Sequence, residues 1–145
     1  MKSREVDALI SEGVIVRVRA DGKAARLDLT VARSHLASAA AVVDSDPVGA
    51  FALAYDAMWK ALVAHMRANG LRVRSGVGAH YQTGRYGLAA LDRQGIDGAL
   101  GEFDTLRSLR NRSEYRGALV KEADVYEAIS HAQAVVDIVT GEIDG

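Results

Sequence analysis

The sequence predicts an all-α protein: an antiparallel bundle of four or five helices with a short N-terminal appendage. Alanine and leucine are abundant between breaks marked by glycine, and apolar residues recur at helical spacing over long stretches. Pro47 is the only proline of the chain, so proline does not interrupt most of these stretches. With 145 residues, the chain is most simply one domain, and it can bury one substantial core.

The N-terminal residues are the least helix-like part of the chain. Residues 3–12 predict a short helix, alternating β-branched and basic residues over 14–18 predict a strand, and Asp21-Gly22 predicts a turn. We therefore expect residues 1–22 to form the appendage and residues 23–145 to form the helical bundle.

Two long helices are predicted next, over 23–43 and 47–69. Asp46 and Pro47 are typical of a helix start, as N-cap and first helical residue. Asn69-Gly70 is typical of a helix end. The residues expected to face the core are Leu27, Val31, Leu36, Ala39 and Val43 in the first helix, and Phe51, Ala52, Tyr55, Met58, Trp59, Leu62, Val63 and Met66 in the second.

Residues 71–81 predict a basic loop that contains glycine and carries Arg72 and Arg74. Beyond this loop, helices are predicted from about His80 to Asp92, over 98–115 with Asp97 as the cap, and over 121–140. In the last of these helices, the residues expected to face inward are Val125, Ile129, Ala132, Val136 and Val139. Short connections between such helices predict an antiparallel bundle.

Charge and composition exclude several classes of function. The chain has 18 Lys+Arg against 19 Asp+Glu and a net charge of −1, so nucleic-acid binding would need a local basic patch. The absence of cysteine excludes disulfides, thiolate metal sites and cysteine nucleophiles. No spacing of His, Asp and Glu indicates a metal, so we expect neither a metal nor a cofactor.

No apolar run reaches transmembrane length, and Met1–Glu5 shows no signal-peptide pattern. We therefore expect a cytoplasmic protein that does not bind a membrane.

Polar side chains concentrate near the end of the helix predicted before the last one. Arg110 and Glu114 lie four residues apart, as do Asn111 and Tyr115, so each pair shares a helix face, and Arg107 lies three residues before Arg110. One reading is a solvated face whose ion pair is worth a few tenths of a kcal/mol. The other is an anion site, in which Arg110 binds a phosphate bidentately and Asn111 supplies an amide.

The segment Leu106–Tyr115 resembles the motif of HEPN (higher eukaryotes and prokaryotes nucleotide-binding) domains. Tyr55–Leu62, running into Gly70–Arg74, is similar to the second helix and following loop of HEPN domains of the bacterial toxin–antitoxin sort. The likeness covers roughly residues 25–140 and rests on the order of the helices and on these two motifs.

The resemblance implies a helical bundle that commonly forms a homodimer. Active members of the family are metal-independent ribonucleases that use an Arg, often followed by a polar residue, and a His four to six residues further on. Arg110 matches the Arg and Asn111 matches the polar residue, whereas Tyr115, preceded by Glu114, stands where the His is expected. The resemblance also implies RNA or nucleotide as ligand, and an antitoxin or a nucleotidyltransferase as a protein partner.

The replacement of the motif His matters chemically. Cleavage by attack of a 2′-hydroxyl needs a base, an acid and cationic stabilisation of the phosphorane. A Tyr with an ordinary pKa of about 10 is a poor base at neutral pH, and Glu114 beside Arg110 stays ionised and weakly basic. Side chains five residues apart on an ideal helix point about 140° apart. Arg110 and Tyr115 therefore meet at one phosphate only if the helix breaks between them or if two chains of a symmetric dimer combine.

Arg72, Arg74 and His80 offer a second group of candidate residues. In one reading, this loop approaches the motif and lends it phosphate-binding arginines and a His for proton transfer. In the other, the loop is exposed and solvated. Asp56 and Lys60 form an i,i+4 pair that stabilises a helix, although Asp56 could instead position Arg110.

The resemblance and the candidate residues together lead us to expect a HEPN-like domain that binds nucleotide or RNA phosphate without efficient cleavage. The binding residues are Arg107, Arg110, Asn111, Arg72, Arg74 and His80. Two alternatives stay open. One is a metal-independent ribonuclease toxin of a toxin–antitoxin pair, with Arg110, Glu114 and Tyr115 as its catalytic residues. The other is a scaffold module that binds a protein partner.

Overall fold

The computed structural model describes residues 4–91 and 122–144 of the chain. Within them the chain forms five helices and one two-stranded sheet, in the order α1 (Arg4–Glu12), β1 (Ile15–Arg17), α2 (Gly22–Val42), α3 (Pro47–Ala68), β2 (Leu71–Val73), α4 (Ala79–Leu91) and α5 (Glu122–Asp144). The predicted all-α bundle is thereby confirmed. The helix predicted over 98–115 lies outside the described residues.

The starts of the two long helices are fixed by aspartate caps. The Asp46 carboxylate accepts the Gly49 N–H at 3.0 Å ahead of Pro47, which confirms the predicted start of α3. Asp21 does the same for α2, accepting the Ala24 N–H at 3.0 Å. The turn predicted at Asp21-Gly22 is therefore wrong: its aspartate is an N-cap, because a short acceptor side chain satisfies the open N–H groups of a first helical turn.

The face that α2 buries differs in part from the predicted one. Leu36, Ala39 and Val43 are buried as predicted, whereas Leu27 is 60% exposed and Val31 is 40% exposed. The buried stripe of α2 consists of Ala25, Leu29, Ala32, Leu36 and Ala39. This face of α2 is the buried one because its alanines let α2 lie close against α3. Helix α3 also buries small residues along its length.

Helix α3 lies at the centre of the bundle and packs against both α2 and α5. The predicted residues Phe51, Tyr55, Met58, Leu62 and Met66 are buried, and Ala52, Trp59 and Val63 are partly buried. On α5, the predicted Val125, Ala132, Val136 and Val139 are buried and Ile129 is partly buried. The buried residues of α2, α3 and α5 form what we call the main core.

The two short strands form an antiparallel ribbon, with Ile15 opposite Val73 and Val16 opposite Arg72. The strand predicted over 14–18 is therefore present, but the predicted basic loop is wrong at its start, which is strand β2. The reversal after α3 occurs at Gly70, whose φ is 68°. A Cβ there would lie 2.8 Å from the Val18 carbonyl oxygen, so this tight approach of the two segments requires glycine.

Residues of α1, the ribbon and α4 form a second core cluster with one residue of α3. Its buried members are Val6, Leu9, Ile15, Met66, Leu71, Tyr86 and Ala89. Arg85 of α4 also donates to the Glu12 carboxylate at 2.7 and 3.1 Å. Helix α1 therefore packs on α4 and β1, and β1 pairs with β2. Across both described segments, no helix has the length and hydrophobicity that a membrane span requires.

Candidate functional site

The predicted site residues fall into two groups in the structure. Arg107, Arg110, Asn111, Glu114 and Tyr115 lie outside the described residues. Arg72, Arg74 and His80 are described, so their surroundings can be given. All three lie at the end of the bundle where the ribbon meets α3 and α4.

A groove of about 360 Å³ opens between the ribbon, α3 and the first turns of α2 and α4. Its walls are mainly apolar and include Val18, Val63, Met66, Leu71 and Val73. Its polar lining residues are Arg19, Asp21, Arg67, Arg72 and Thr83, and Trp59 completes the wall on the side of α3. The groove therefore has an apolar surface with three guanidinium groups around it.

The arginines of the groove differ in how far they are neutralised. Arg67 Nη1 lies 3.4 Å from the Asp28 carboxylate. Arg72 donates to the Val73 carbonyl oxygen at 3.0 Å, and neither Arg72 nor Arg19 has an acidic partner among the described residues. The groove also contains Asp21, whose carboxylate is occupied as the cap of α2. Among the described residues, the guanidinium groups of Arg19 and Arg72 therefore have no ion-pair partner, and Asp21 is the acidic residue that lines the groove with them.

Of the predicted residues, Arg72 lines the groove and Arg74 does not. Arg74 is exposed, and its backbone N–H donates to the Val14 carbonyl oxygen at 2.9 Å, which extends the ribbon by one residue. Sequence reasoning missed Arg19 and Arg67 as neighbours of Arg72. Their proximity depends on the pairing of β1 with β2 and on Gly70, and no local pattern indicates that pairing.

His80 is held by two aromatic side chains of α3. Its Nδ1 lies 2.8 Å from the Tyr55 hydroxyl oxygen. Its ring stacks on Trp59 with centroids 4.8 Å apart and planes 9° apart. His80 is a helix-start residue, as one reading of the sequence has it, but it is packed rather than solvated. Since Trp59 also lines the groove, His80 contacts one residue of the groove wall.

A polar network joins α2 to α3 beside Trp59. The Asp56 carboxylate lies 2.9 Å from His35 Nδ1 and 3.8 Å from Lys60 Nζ, which confirms the predicted pair of Asp56 with Lys60 and adds His35 to it. Lys60 Nζ lies 5.7 Å from the Trp59 ring centroid, within cation–π range. On the same side of the bundle, burial raises the pKa of Asp28, opposed by the positive charges of Arg67 and Lys60.

A second buried polar cluster ties α3, α4 and α5 together. His65 is 1% exposed; its Nδ1 lies 2.7 Å from the Tyr86 hydroxyl oxygen, and its Nε2 lies 3.7 Å from Glu142 Oε1. Burial lowers the pKa of His65, although the Glu142 carboxylate opposes this. Burial raises the pKa of Tyr86, so its hydroxyl stays protonated. A protonated Tyr86 hydroxyl and a buried imidazole that share a hydrogen bond form the arrangement of a structural cluster.

Comparisons with protein-family models, with curated proteins and with solved structures give no match. The side chains around the groove, together with the motif in the sequence, are therefore the basis for a functional proposal.

Proposed function

We propose that this protein is a HEPN-like helical domain that binds nucleotide or RNA phosphate without efficient cleavage. The observation that carries the proposal is the groove lined by Arg19 and Arg72, neither of which has an acidic partner within residues 4–91 and 122–144. A guanidinium group is a planar donor that binds phosphate oxygens in pairs. A concave, mainly apolar surface with a few convergent polar groups is the usual form of a small-molecule site.

The overall charge of the chain makes this local arrangement important. At a net charge of −1, the protein as a whole does not attract an anion, so attraction must come from a patch such as this one. Arg74 is exposed just beyond β2 and adds a further positive charge near the groove. The ribbon end of the bundle is therefore the described surface that fits a phosphate-bearing ligand best.

The motif over Leu106–Tyr115 is a further part of the proposal. The resemblance implies that Arg110, with Arg107 and Asn111, binds phosphate. The described helices are compatible with the bundle that the resemblance implies, and Tyr55–Leu62 of the second motif lies on α3, which forms one wall of the groove. A homodimer, and an antitoxin or nucleotidyltransferase partner, belong to this proposal as implications of the resemblance.

Binding without efficient cleavage follows from the groups that the motif lacks. Tyr115 and Glu114 stand where the family has its His, and neither is well suited to exchange protons near neutral pH. His80 contacts the groove wall through Trp59, and its Nδ1 is engaged with the Tyr55 hydroxyl. We therefore propose a binding role as the main function.

One observation favours a metal-independent ribonuclease as the second candidate. His80 is oriented by Tyr55 and Trp59 beside the groove wall, and an oriented imidazole is the usual group for proton transfer at neutral pH. Cleavage of RNA in the presence of chelator, lost in both His80→Ala and Arg110→Ala, would establish this candidate. Cleavage by neither the wild type nor the variants would leave the binding role.

The proposal is tested by titrating the purified protein into a labelled single-stranded RNA and measuring fluorescence anisotropy. We expect Arg72→Ala to weaken binding about tenfold, since a charge-assisted hydrogen bond is worth about 1.5–3 kcal/mol. The salt dependence of binding should also become shallower by about one unit of its logarithmic slope. Arg17→Ala is the matched control, because Arg17 is exposed on the same ribbon but does not line the groove.

Two outcomes would count against the proposal. If the wild-type protein binds neither RNA nor nucleotide at low salt, the proposed function is wrong. If Arg17→Ala weakens binding as much as Arg72→Ala, attraction is spread over the surface and the groove has no special role.

A further inference from the structure

The size of the groove restricts what part of a nucleic acid it can hold. Its volume of about 360 Å³ lies near the lower end of the range of about 300–1,000 Å³ for small-molecule pockets. Proteins that follow a continuous single strand instead stack successive bases on several aromatic side chains. Trp59 is the only aromatic residue among the described residues that line this groove, and its ring is already stacked on His80. The groove therefore fits one nucleotide unit rather than a run of bases.

The charge of the groove distinguishes between kinds of phosphate. Asp28 partly neutralises Arg67 at 3.4 Å, whereas Arg19 and Arg72 have no acidic partner among the described residues. A phosphodiester within a strand carries a single negative charge. A phosphate monoester carries a charge of about −1.5 to −2 at neutral pH and offers three acceptor oxygens. The guanidinium groups of Arg19 and Arg72 match the monoester better, since each can bind two oxygens.

The apolar walls account for the rest of such a ligand. Val63 and Met66 of α3 and Leu71 of β2 line the groove together with the arginines. A base or ribose packed on these side chains gains affinity from buried apolar surface, which inorganic phosphate cannot gain. The groove thus suits an anionic group that is attached to a nucleoside.

We infer that the groove binds the phosphate monoester of a nucleotide, through Arg19 and Arg72, with the nucleoside against the apolar walls. This chemistry is shared by a free nucleoside monophosphate and by the phosphorylated end of an RNA. The inference rests on the proposed function and specifies the ligand of the same groove.

The inference is tested with one RNA sequence prepared with either a 5′-phosphate, a 3′-phosphate or hydroxyls at both ends. Affinities of the full chain are measured by calorimetry. We expect one of the phosphorylated forms to bind about tenfold more tightly than the form with two hydroxyls. Arg19→Ala and Arg72→Ala should remove this difference, and Arg17→Ala should leave it unchanged. These side chains are exposed, so the variants should fold, and circular dichroism checks that they do.

The source of the monoester is separated by competition. The four nucleoside 5′-monophosphates, their nucleosides and inorganic phosphate are each titrated against the phosphorylated RNA. Displacement by a nucleoside monophosphate, but not by its nucleoside or by phosphate at the same concentration, assigns the groove to free nucleotides as well as to RNA ends. If phosphorylated RNA binds more tightly but no mononucleotide displaces it, the RNA end is the ligand.

The pH dependence gives an independent reading, because the second ionisation of a phosphate monoester has a pKa of about 6. Between pH 7.5 and 5.5, affinity for the phosphorylated RNA should fall several-fold, while affinity for the hydroxyl form stays nearly constant.

Equal affinity for all three RNA forms, still dependent on Arg72, would overturn the monoester inference and leave the proposed function intact. Inorganic phosphate binding as tightly as nucleotide would overturn the nucleoside part. Binding of none of the probes would remove the proposed function itself.

Discussion

The main core and the ribbon end of this protein differ in how many polar side chains they contain. The main core joins α2, α3 and α5 through alanine, leucine, valine and phenylalanine side chains, with little that is polar inside it. The ribbon end joins α1, β1, β2 and α4 around a smaller second core cluster. Buried His65 and Tyr86 and the arginine-lined groove lie at this end. Among the described residues, the larger apolar core thus lies in one region, and the groove that we propose as the ligand site lies in the other.

The largest expected effect comes from removing volume in the main core. Leu62→Ala replaces a fully buried side chain of α3, so we expect it to lower the free energy of unfolding by about 3 kcal/mol, through lost apolar burial and the cavity that remains. Leu27→Ala is the matched control, because Leu27 is a helical leucine that is 60% exposed. Its effect should stay within about 0.5 kcal/mol. Urea unfolding followed by circular dichroism measures both, and equal losses would contradict the assignment of the buried face of α2.

An intermediate effect is expected from acidification, and it should arise at the ribbon end. Burial lowers the pKa of His65 in the folded protein, whereas in the unfolded chain it returns to about 6.5. Below that pH the unfolded chain binds the proton more readily. Stability should therefore fall as pH drops from about 6.5 toward the folded pKa, at most by about 1.4 kcal/mol per pH unit.

The pH effect is measured as the urea midpoint between pH 8 and 5. His65→Gln should flatten this dependence. His131→Gln, which changes a histidine of α5 that is far less buried, should not. A wild-type curve with no decline below pH 6.5 would show that His65 does not remain neutral in the folded state.

The smallest effect separates two helix caps that look alike in the sequence. Asp21 and Asp46 each accept one N–H of a first helical turn, so Asp21→Ala and Asp46→Ala should each cost about 1 kcal/mol of unfolding free energy. Only Asp21 lines the groove. Asp21→Ala should therefore also strengthen binding of an anionic nucleotide severalfold, because it removes a negative charge. Equal affinities in the two variants would argue against the groove as the ligand site.

The helices could be read from the sequence because their signals are local. Asp46, Pro47 and Asn69 mark the ends of α3 by groups that act within one helical turn. The buried face of α2 could not be read so well. Leu27 and Val31 are larger than Ala25 and Ala32, and a pattern that weighs hydrophobicity favours them. The structure instead buries the alanines, since close approach to α3 depends on small side chains.

The candidate site was predictable in the same uneven way. Arg72 and His80 could be predicted as site residues because basic residues, glycines and a histidine are close together in the sequence. Arg19 follows β1 and Arg67 lies on α3, and they join Arg72 only through the pairing of β1 with β2 and the position of α3. The partners of two histidines could not be predicted either: His35 contacts Asp56, and His65 contacts Tyr86. Such contacts across elements leave no mark in a local pattern.

The ribbon also determines the order in which the protein can assemble. Ile15 and Val73 face each other in the ribbon, and the whole of α2 and α3 lies between them in the chain. Closing so long a loop is entropically costly until the two helices have paired, whereas neighbouring helices pair quickly through contacts close in sequence. The α2–α3 hairpin should therefore form first, and the ribbon should close on it afterwards. During synthesis the groove is completed only once β2 and the start of α4 have emerged. A nascent chain in which α2 and α3 have already paired therefore still lacks the proposed ligand site.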